Sequence, residues 1–154
     1  MAKLIGPIDV TEMSAWIQAI PFDEWPQQHK IDDQLRPAMV TNLNWHGFGG
    51  YALPIQNALM PNFPGYSAYQ AMLSVVMPGH QIAPHKDMQA SYWKCRVHVP
   101  LLSNEQSRFI VDGVAHHLVP GQAYAVDTQL EHSVENSGSC PRIHFMFDVG
   151  MNPL

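Results

Sequence analysis

The pattern of apolar and polar residues changes near residue 68 of the chain. Beyond this point, short apolar runs are separated by turn residues, such as the Pro-Gly pair at 78–79. Residues 95–102 alternate between an apolar side and a side that carries Arg96 and His98, which is typical of a β-strand. The pattern predicts an antiparallel jelly roll or small barrel, a fold whose mouth can hold one ligand.

The same region contains a clear hairpin signal. Asp112 and Gly113 lie between two β-like runs, and this pair favours a two-residue type I′ turn. Several short strands with turns between them support a mainly β fold. The predicted strands, in chain order, cover residues 69–77, 95–102, 124–126, 132–136 and 143–147.

The first third of the chain has a different pattern. Residues 11–20 predict a short helix, because Thr11 suits the N-cap, apolar residues recur at helical spacing and Pro21 ends the run. We expect one domain over residues 1–154, in which residues 1–67 form a helical and loop support for a barrel core at 68–154. The remaining predictions are a helical turn at 31–35, an edge strand at 39–43, a loop at 44–51 and a helix at 55–59.

Composition narrows the class of protein. A chain of 154 residues with 46% hydrophobic and 14% charged residues can build one globular core without disulfides. The net charge of −5 offers no basic surface for nucleic acid or for an anionic membrane. No apolar run approaches the ~20 residues of a membrane span, and no signal peptide is evident. We expect Cys95 and Cys140 to be reduced thiols of a cytoplasmic protein.

Two of the nine histidines stand in a context that suits metal binding. His85 and Asp87 form an H-x-D pair, and His132 begins a later predicted strand. Two imidazoles and one carboxylate on a β framework suit Fe(II) and leave three positions of an octahedral ion open. Arg142 could grip the carboxylate of a co-substrate with two parallel hydrogen bonds. His144 lies two residues further on and so falls on the same face of its strand.

These residues are part of a longer resemblance. The chain resembles the catalytic domain of the aspartyl/asparaginyl β-hydroxylase family over roughly residues 69–154. Members of this family are Fe(II)- and 2-oxoglutarate-dependent oxygenases on a double-stranded β-helix. The resemblance is carried by Leu-Ser-Val-Val-Met-Pro-Gly-His-Gln-Ile-Ala-Pro-His at 73–85, Arg-Val-His-Val-Pro-Leu at 96–101, Pro120-Gly121, Glu131-His132, Asn136 and Arg142.

The resemblance implies a fold, a reaction and a metal site. It implies a double-stranded β-helix, a jelly-roll or cupin-like barrel, with short helices before it. His85 and His132 match the two metal-binding histidines of the family. Fe(II), 2-oxoglutarate and dioxygen are then the cofactor and co-substrates. The implied reaction is hydroxylation of an unactivated C–H bond in an amino acid or a peptide side chain.

The resemblance also implies how 2-oxoglutarate is held. Ser74 matches a serine that helps bind the distal carboxylate of 2-oxoglutarate, and Arg142 matches the arginine that pairs with it. Arg96 and His98 match an R-x-H pair beside the metal and the co-substrate. These four residues are therefore the predicted co-substrate site.

One residue departs from the animal members of the family. They have a glycine where this chain has Asp87, so this chain resembles an ordinary facial-triad oxygenase. In this respect it is closer to bacterial members that hydroxylate free amino acids such as proline. A carboxylate at this position also argues against a halogenase, which needs the position for chloride.

Two other interpretations fit parts of the sequence. One is a cupin-type metal protein, either an isomerase or a barrel that binds a small molecule. His132 and Asn136 suit half of a cupin signature, but the other half, an HxH followed by Glu, is absent. The other is a non-catalytic barrel that keeps its histidines as a closed structural zinc site, which leaves Asp87 and Arg142 unexplained. The H-x-D pair by itself also fits a buried, hydrogen-bonded His–Asp pair with a structural role. The substrate stays open between a free amino acid, a peptide side chain and another metabolite, with residues 44–65 and 88–93 as the predicted lid.

Overall fold

The protein is described by a computed structural model that covers residues 2–28 and 37–151. The described residues form strands, two α-helices and three 3₁₀ turns, the turns at Phe22–Glu24, Trp45–Gly47 and Met60–Asn62. In chain order the helices and strands are β1 (Ala2–Pro7), α1 (Thr11–Gln18), α2 (Phe48–Leu59), β2 (Ser67–Val76), β3 (Gln81–His85), β4 (Trp93–Leu102), β5 (Ser107–Val111), β6 (Val114–His116), β7 (Gln122–Val126), β8 (His132–Asn136) and β9 (Arg142–Gly150).

The strands form two antiparallel sheets. The larger sheet has the order β1-β7-β4-β9-β2, and the smaller one has the order β3-β8-β5-β6. Neither order closes on itself within the described part of the chain, so the fold is an open jelly roll rather than a closed barrel. The mainly β, double-stranded β-helix architecture predicted from the sequence is confirmed.

Apolar side chains form two cores, one on each face of the larger sheet. The inner core lies between the sheets and contains Val76, Phe109, Val111, Leu118, Val126 and Val134. The outer core lies between the larger sheet and the helices, and its members include Met13, Ile17, Phe48, Ala52, Ile55, Leu59, Leu73, Val97, Val99, Phe145 and Phe147. Because the helices cover one face of the larger sheet, its other face is left for the functional site.

Strict alternation along β9 separates these two environments. Phe145 and Phe147 belong to the outer core. Arg142, His144 and Asp148 occupy the alternate positions of the strand, are also buried and point to the opposite face. β4 alternates in the same way, as the sequence predicted. The neighbouring strands β4 and β9 of the larger sheet therefore present their polar residues to the space between the sheets.

The predicted hairpin is confirmed. Val111 in β5 pairs with Val114 in β6, which leaves Asp112 and Gly113 as the two turn residues. Both have positive φ angles, 48° and 79°, as a type I′ turn requires.

The first third of the chain differs from several predictions. The predicted helix at 11–20 is confirmed as α1, which ends at Gln18. The predicted N-cap is wrong, because Thr11 is the first helical residue and the N-cap position is held by Val10, without a side-chain hydrogen bond. Residues 1–67 are not only helices and loops, because β1 pairs with β7 at the edge of the larger sheet. The edge strand predicted at 39–43 is wrong, since only Val40 makes a bridge, to Leu73. The helical turn predicted at 31–35 lies outside the described residues.

The predicted loop at 44–51 is wrong at its second half, because α2 begins at Phe48. Gly49, Gly50 and Pro54 are poor helix formers and conceal this helix in the sequence. Burial overrides propensity, since a helical stripe of apolar side chains packs on the larger sheet: Phe48, Ala52, Ile55 and Leu59. Among the described residues, no helix has the length and apolar character needed to cross a lipid bilayer.

Candidate metal centre

His85, Asp87 and His132 meet at the edge of the space between the sheets. His85 and His132 are directly paired residues of β3 and β8, and their ring centroids are 4.3 Å apart. The Nε2 atom of His85 lies 3.5 Å from Oδ1 of Asp87, and the Nε2 atom of His132 lies 3.6 Å from Oδ2. Their candidate ligand atoms all fall within 4.8 Å of one another. A single divalent ion could therefore contact all three side chains.

The two histidines are oriented alike by the backbone. His85 Nδ1 donates to the carbonyl of Ala83, and His132 Nδ1 donates to the carbonyl of Leu130, both at 2.8 Å. A carbonyl can only accept, so each ring carries a hydrogen on Nδ1, and its Nε2 atom faces Asp87. A histidine that binds a metal through Nε2 has this orientation.

The donor set suits a divalent transition metal. Two neutral imidazole nitrogens and one carboxylate form the facial triad used by non-haem Fe(II) oxygenases. His132 is 7% exposed, whereas His85 is 42% exposed. The centre is therefore anchored inside the fold and open to solvent on the side of His85.

A cavity of about 180 Å³ connects this centre to the interior. It brings together all seven residues that the sequence predicted for the metal and co-substrate sites: Ser74, His85, Asp87, Arg96, His98, His132 and Arg142. Phe109, Val134 and Met146 add apolar wall. Of the seven predicted residues, Asp87 follows β3, and the other six lie on strands of the two sheets. Strand pairing within each sheet and the packing of one sheet on the other therefore bring them together.

Arg142 places a buried positive charge beside this cavity. Its side chain is buried, and its Nη1 atom has no hydrogen-bond partner among the described residues. Burial lowers the pKa of the guanidinium to about 9. A buried cation without a counter-charge is costly, so the site suits an anionic ligand such as a carboxylate. Ser74 lies on the neighbouring strand β2, opposite His144, and lines the same cavity.

His98 forms a buried pair with His144. The sequence predicted for His144 only that it shares a strand face with Arg142. Their Nδ1 atoms are 3.0 Å apart. Desolvation first, and the charge of Arg142 second, hold the pKa of each ring well below its usual value. The Nε2 atom of His98 has no partner within the described residues. A neutral imidazole with an unused nitrogen therefore faces the cavity beside Arg142.

Arg96 contacts the metal centre through Asp87. Its Nη1 donates to Asp87 Oδ2 at 3.2 Å, and its other nitrogens donate to Asp148. Asp148, which is buried on β9, was not among the residues predicted from the sequence. Its even-numbered spacing from Arg142 and His144 along one strand was the available signal, since every second residue faces the same way.

Only one of the two segments predicted as the lid lies next to the candidate metal centre. A polar cavity of about 350 Å³ next to Asp87 is bordered by Met88, Gln89, Ala90 and Tyr92 from the predicted lid, together with Tyr69, Gln70 and Arg96. Residues 44–65 do not line the metal cavity, because α2 packs on the opposite face of the larger sheet. Met39 lines the metal cavity instead, so the N-terminal region reaches the site through another segment.

Comparison with solved structures gives the same fold. AviO1 from Streptomyces viridochromogenes Tue57 has a TM-score of 0.70 at 14% identity, over 99% of this chain and 90% of that chain. A prolyl-4-hydroxylase from Pseudomonas putida has a TM-score of 0.61 at 13% identity, over 99% and 92%. An oxidoreductase of the 2OG-Fe(II) oxygenase family from Burkholderia pseudomallei has a TM-score of 0.53 at 16% identity, over 79% and 64%. At these identities the likeness is one of fold.

The sequence itself carries the family assignment. Residues 50–151 match the sequence model of the aspartyl/asparaginyl β-hydroxylase family. This match begins inside α2, earlier than residue 69, where the resemblance read from the sequence began. It includes the three candidate metal ligands and every residue that lines their cavity except Met39. The chain therefore belongs to the aspartyl/asparaginyl β-hydroxylase family of oxygenases.

Proposed function

We propose that this protein is an Fe(II)- and 2-oxoglutarate-dependent dioxygenase that hydroxylates an unactivated C–H bond of an amino acid or a peptide side chain. One observation supports this most strongly. Three candidate metal ligands share one cavity with a buried arginine whose Nη1 atom has no partner among the described residues. The triad suits the metal, and the arginine suits the far carboxylate of 2-oxoglutarate.

His85, Asp87 and His132 would hold Fe(II) through two imidazole nitrogens and a carboxylate oxygen. When bound, iron with 2-oxoglutarate and dioxygen supplies the oxidising chemistry, in which succinate and CO₂ form and one oxygen atom enters the substrate C–H bond. Three protein ligands leave three positions of an octahedral ion for the co-substrates. The protein's own task is to hold these groups and to keep the remaining positions accessible.

Arg142, Ser74 and His98 would hold the co-substrate. Arg96, the fourth residue predicted for this role, lines the same cavity but donates to Asp87 and Asp148. The planar guanidinium of Arg142 can donate two parallel hydrogen bonds to one carboxylate, which sets the orientation of the molecule as well as its affinity. With a pKa of about 9, this group is charged at neutral pH, and an anion beside it would raise that pKa. Ser74 can donate one further hydrogen bond, and His98 can offer its unused Nε2.

The substrate would approach from the exposed side of His85. The polar cavity beside Asp87 offers hydroxyl and amide groups from Tyr69, Gln70 and Gln89. Such groups can bind the polar backbone of an amino acid or peptide while a C–H bond of its side chain faces the metal centre. We propose that the substrate is a small molecule or a peptide. We further propose that the protein is cytoplasmic and binds neither nucleic acid nor a membrane.

The test is a substrate screen with the iron-loaded protein. Free amino acids and short peptides would be supplied with 2-oxoglutarate under air, and succinate and oxygenated product would be measured together. We expect one substrate class to stimulate succinate formation, with matching gain of one oxygen atom in the product. A protein that binds metal but neither binds nor decarboxylates 2-oxoglutarate would instead support the non-oxygenase cupin alternative.

A further inference from the structure

We propose that Arg96 is a positioning residue that keeps Asp87 a one-oxygen metal ligand, and that Asp148 holds Arg96 for this task. The inference rests on the proposed function, because it requires a metal between His85, Asp87 and His132. It assigns a role to Asp148, which lies beyond the metal ligands and outside the cavity lining.

Asp148 fixes the guanidinium of Arg96 from behind. The two residues are directly opposite each other on β9 and β4. Asp148 is 0% exposed and accepts from Arg96 Nε at 2.9 Å and from Nη2 at 3.1 Å. Trp93 Nε1 donates to the same carboxylate at 3.2 Å. Two parallel bonds define the plane of the guanidinium, so the direction of its remaining nitrogen is also defined.

That remaining nitrogen contacts only one oxygen of Asp87. Arg96 Nη1 donates to Oδ2 at 3.2 Å. Asp87 itself follows β3 in a segment without strand pairing, where its backbone N–H donates to the carbonyl of Thr128. The backbone bond places the residue but leaves its carboxylate free to rotate. Arg96 is therefore the group that selects the carboxylate orientation.

Selection matters because both oxygens of Asp87 lie near a metal-facing nitrogen. Oδ1 is 3.5 Å from His85 Nε2, and Oδ2 is 3.6 Å from His132 Nε2. A carboxylate bound through both oxygens would take one of the three positions that 2-oxoglutarate and dioxygen need. With Oδ2 engaged by Arg96, Oδ1 is left as the ligand, and all three positions stay available.

Charge supports the same arrangement. Asp148 balances the positive charge of Arg96, so the group of three residues keeps the single negative charge of Asp87 for the metal. A lysine at position 96 would keep the charge but could not reach both carboxylates with a fixed fork. The geometry therefore favours arginine for a reason beyond charge.

The experiment uses Co(II) as a spectroscopic probe in metal-free protein. Arg96→Met, Arg96→Lys and Asp148→Asn would be compared with Arg108→Met, which removes an exposed arginine of β5. We expect Arg96→Met and Asp148→Asn to weaken Co(II) binding at least about tenfold, the scale of lost outer hydrogen bonds in metal sites. Their Co(II) absorption spectra should also change, because the carboxylate changes its mode of binding.

Two further comparisons keep the result interpretable. Arg96→Lys should recover part of the affinity but not the parental spectrum, which a purely structural ion pair does not predict. Thermal unfolding of each variant shows whether it is folded. If Asp148→Asn does not fold, Arg96→Lys still tests the inference. Parental Co(II) affinity and spectrum in folded Arg96→Met and Arg96→Lys would overturn the inference alone. Absence of Co(II) binding in the parent protein would overturn the proposed function as well.

Discussion

The Nδ1 atoms of His98 and His144 lie 3.0 Å apart on the neighbouring strands β4 and β9, and both rings are buried. Because burial and Arg142 hold the pKa of each ring well below its usual value, both rings are neutral. One ring must then donate its Nδ1 hydrogen to the other. We expect His144 to be the donor, since this leaves His98 with a hydrogen on Nε2 to offer an anionic co-substrate.

The first prediction tests this arrangement with His144→Phe. The substitution leaves His98 Nδ1 without its partner, so the tautomer of His98 is no longer set. Affinity for 2-oxoglutarate should fall by about 1 kcal/mol, the scale of one hydrogen bond. Titration of the Co(II)-loaded protein measures the affinity, and ¹⁵N NMR of the imidazoles reports the tautomers. His117→Gln, at an exposed position, is the control. An unchanged His98 tautomer in His144→Phe would contradict the prediction.

The second prediction concerns acid stability of the metal-free protein. In the unfolded chain each ring titrates near pH 6.5, whereas in the folded chain the pKa values of His98 and His144 lie well below that. As pH falls through about 6.5, the unfolded state binds protons that the folded state does not, and stability is lost. Each ring contributes up to about 1.4 kcal/mol per pH unit in this range. Above about pH 6.5 the contribution of both rings to stability is complete.

Urea unfolding at several pH values measures how steeply the free energy of unfolding falls with decreasing pH. A double variant, His98→Leu with His144→Phe, should show a shallower loss of stability toward acid than the parent protein. The comparison cancels the titration of all other groups, because they are present in both proteins. Equal slopes in the two proteins would show that these rings do not remain neutral in the folded state.

The third prediction concerns the metal. Anaerobically prepared protein should bind about one Fe(II) per chain, and His85→Ala or His132→Ala should lose it. Other divalent ions such as Ni(II) and Zn(II) should compete for the same ligands. His132 is the more buried of the two, so the fold of His132→Ala needs a circular dichroism check. Full metal occupancy in both folded variants would remove these residues as ligands.

The fourth prediction separates this chain from relatives that have glycine in place of Asp87. Asp87→Gly should weaken iron binding at least about tenfold, since an anionic ligand is replaced by water. Asp87→Glu keeps the charge but displaces the oxygen, so most activity should be lost. Iron titration and succinate release would be measured on both variants. Near-parental iron affinity and succinate release would mean that Asp87 serves only as the partner of Arg96. The metal centre would then be of the two-histidine type.

The fifth prediction is that replacing Arg142 weakens co-substrate binding but stabilises the ligand-free protein. Arg142→Met should weaken 2-oxoglutarate binding by about 2–5 kcal/mol, because one partner of a buried charge pair is lost. The same change should raise the free energy of unfolding of the ligand-free protein by about 1 kcal/mol or more, since a buried cation is removed. Ser74→Ala should cost about 1 kcal/mol of affinity, the scale of one hydrogen bond.

Thermal unfolding with and without 2-oxoglutarate checks both effects of the Arg142 substitution. The parent protein, loaded with a divalent metal, should be stabilised by 2-oxoglutarate. Arg142→Met should begin at a higher melting temperature and respond little to the compound. Parental binding by this variant would show that the co-substrate carboxylate lies elsewhere.

Local sequence patterns were sufficient for much of the fold. The turn at Asp112 and Gly113 was predictable because the φ angles of a type I′ turn suit few residue types. The alternation of β4 was predictable because the side-chain period of a strand is two. The H-x-D pair of His85 and Asp87 lies within three residues, so its two side chains are brought together by the local backbone itself.

Only the tertiary structure decided the relationships between distant segments. β1 was missed because its evidence is its pairing with β7, more than a hundred residues later. α2 was missed at its start because burial of Phe48 outweighs the low helix propensity of Gly49 and Gly50. The Arg96–Asp148 and His98–His144 contacts depend on the register between β4 and β9. Periodicity is a property of one segment, whereas register is set by the packing of two. The sequence by itself therefore determined the candidate ligands, and the tertiary structure decided which residues support them.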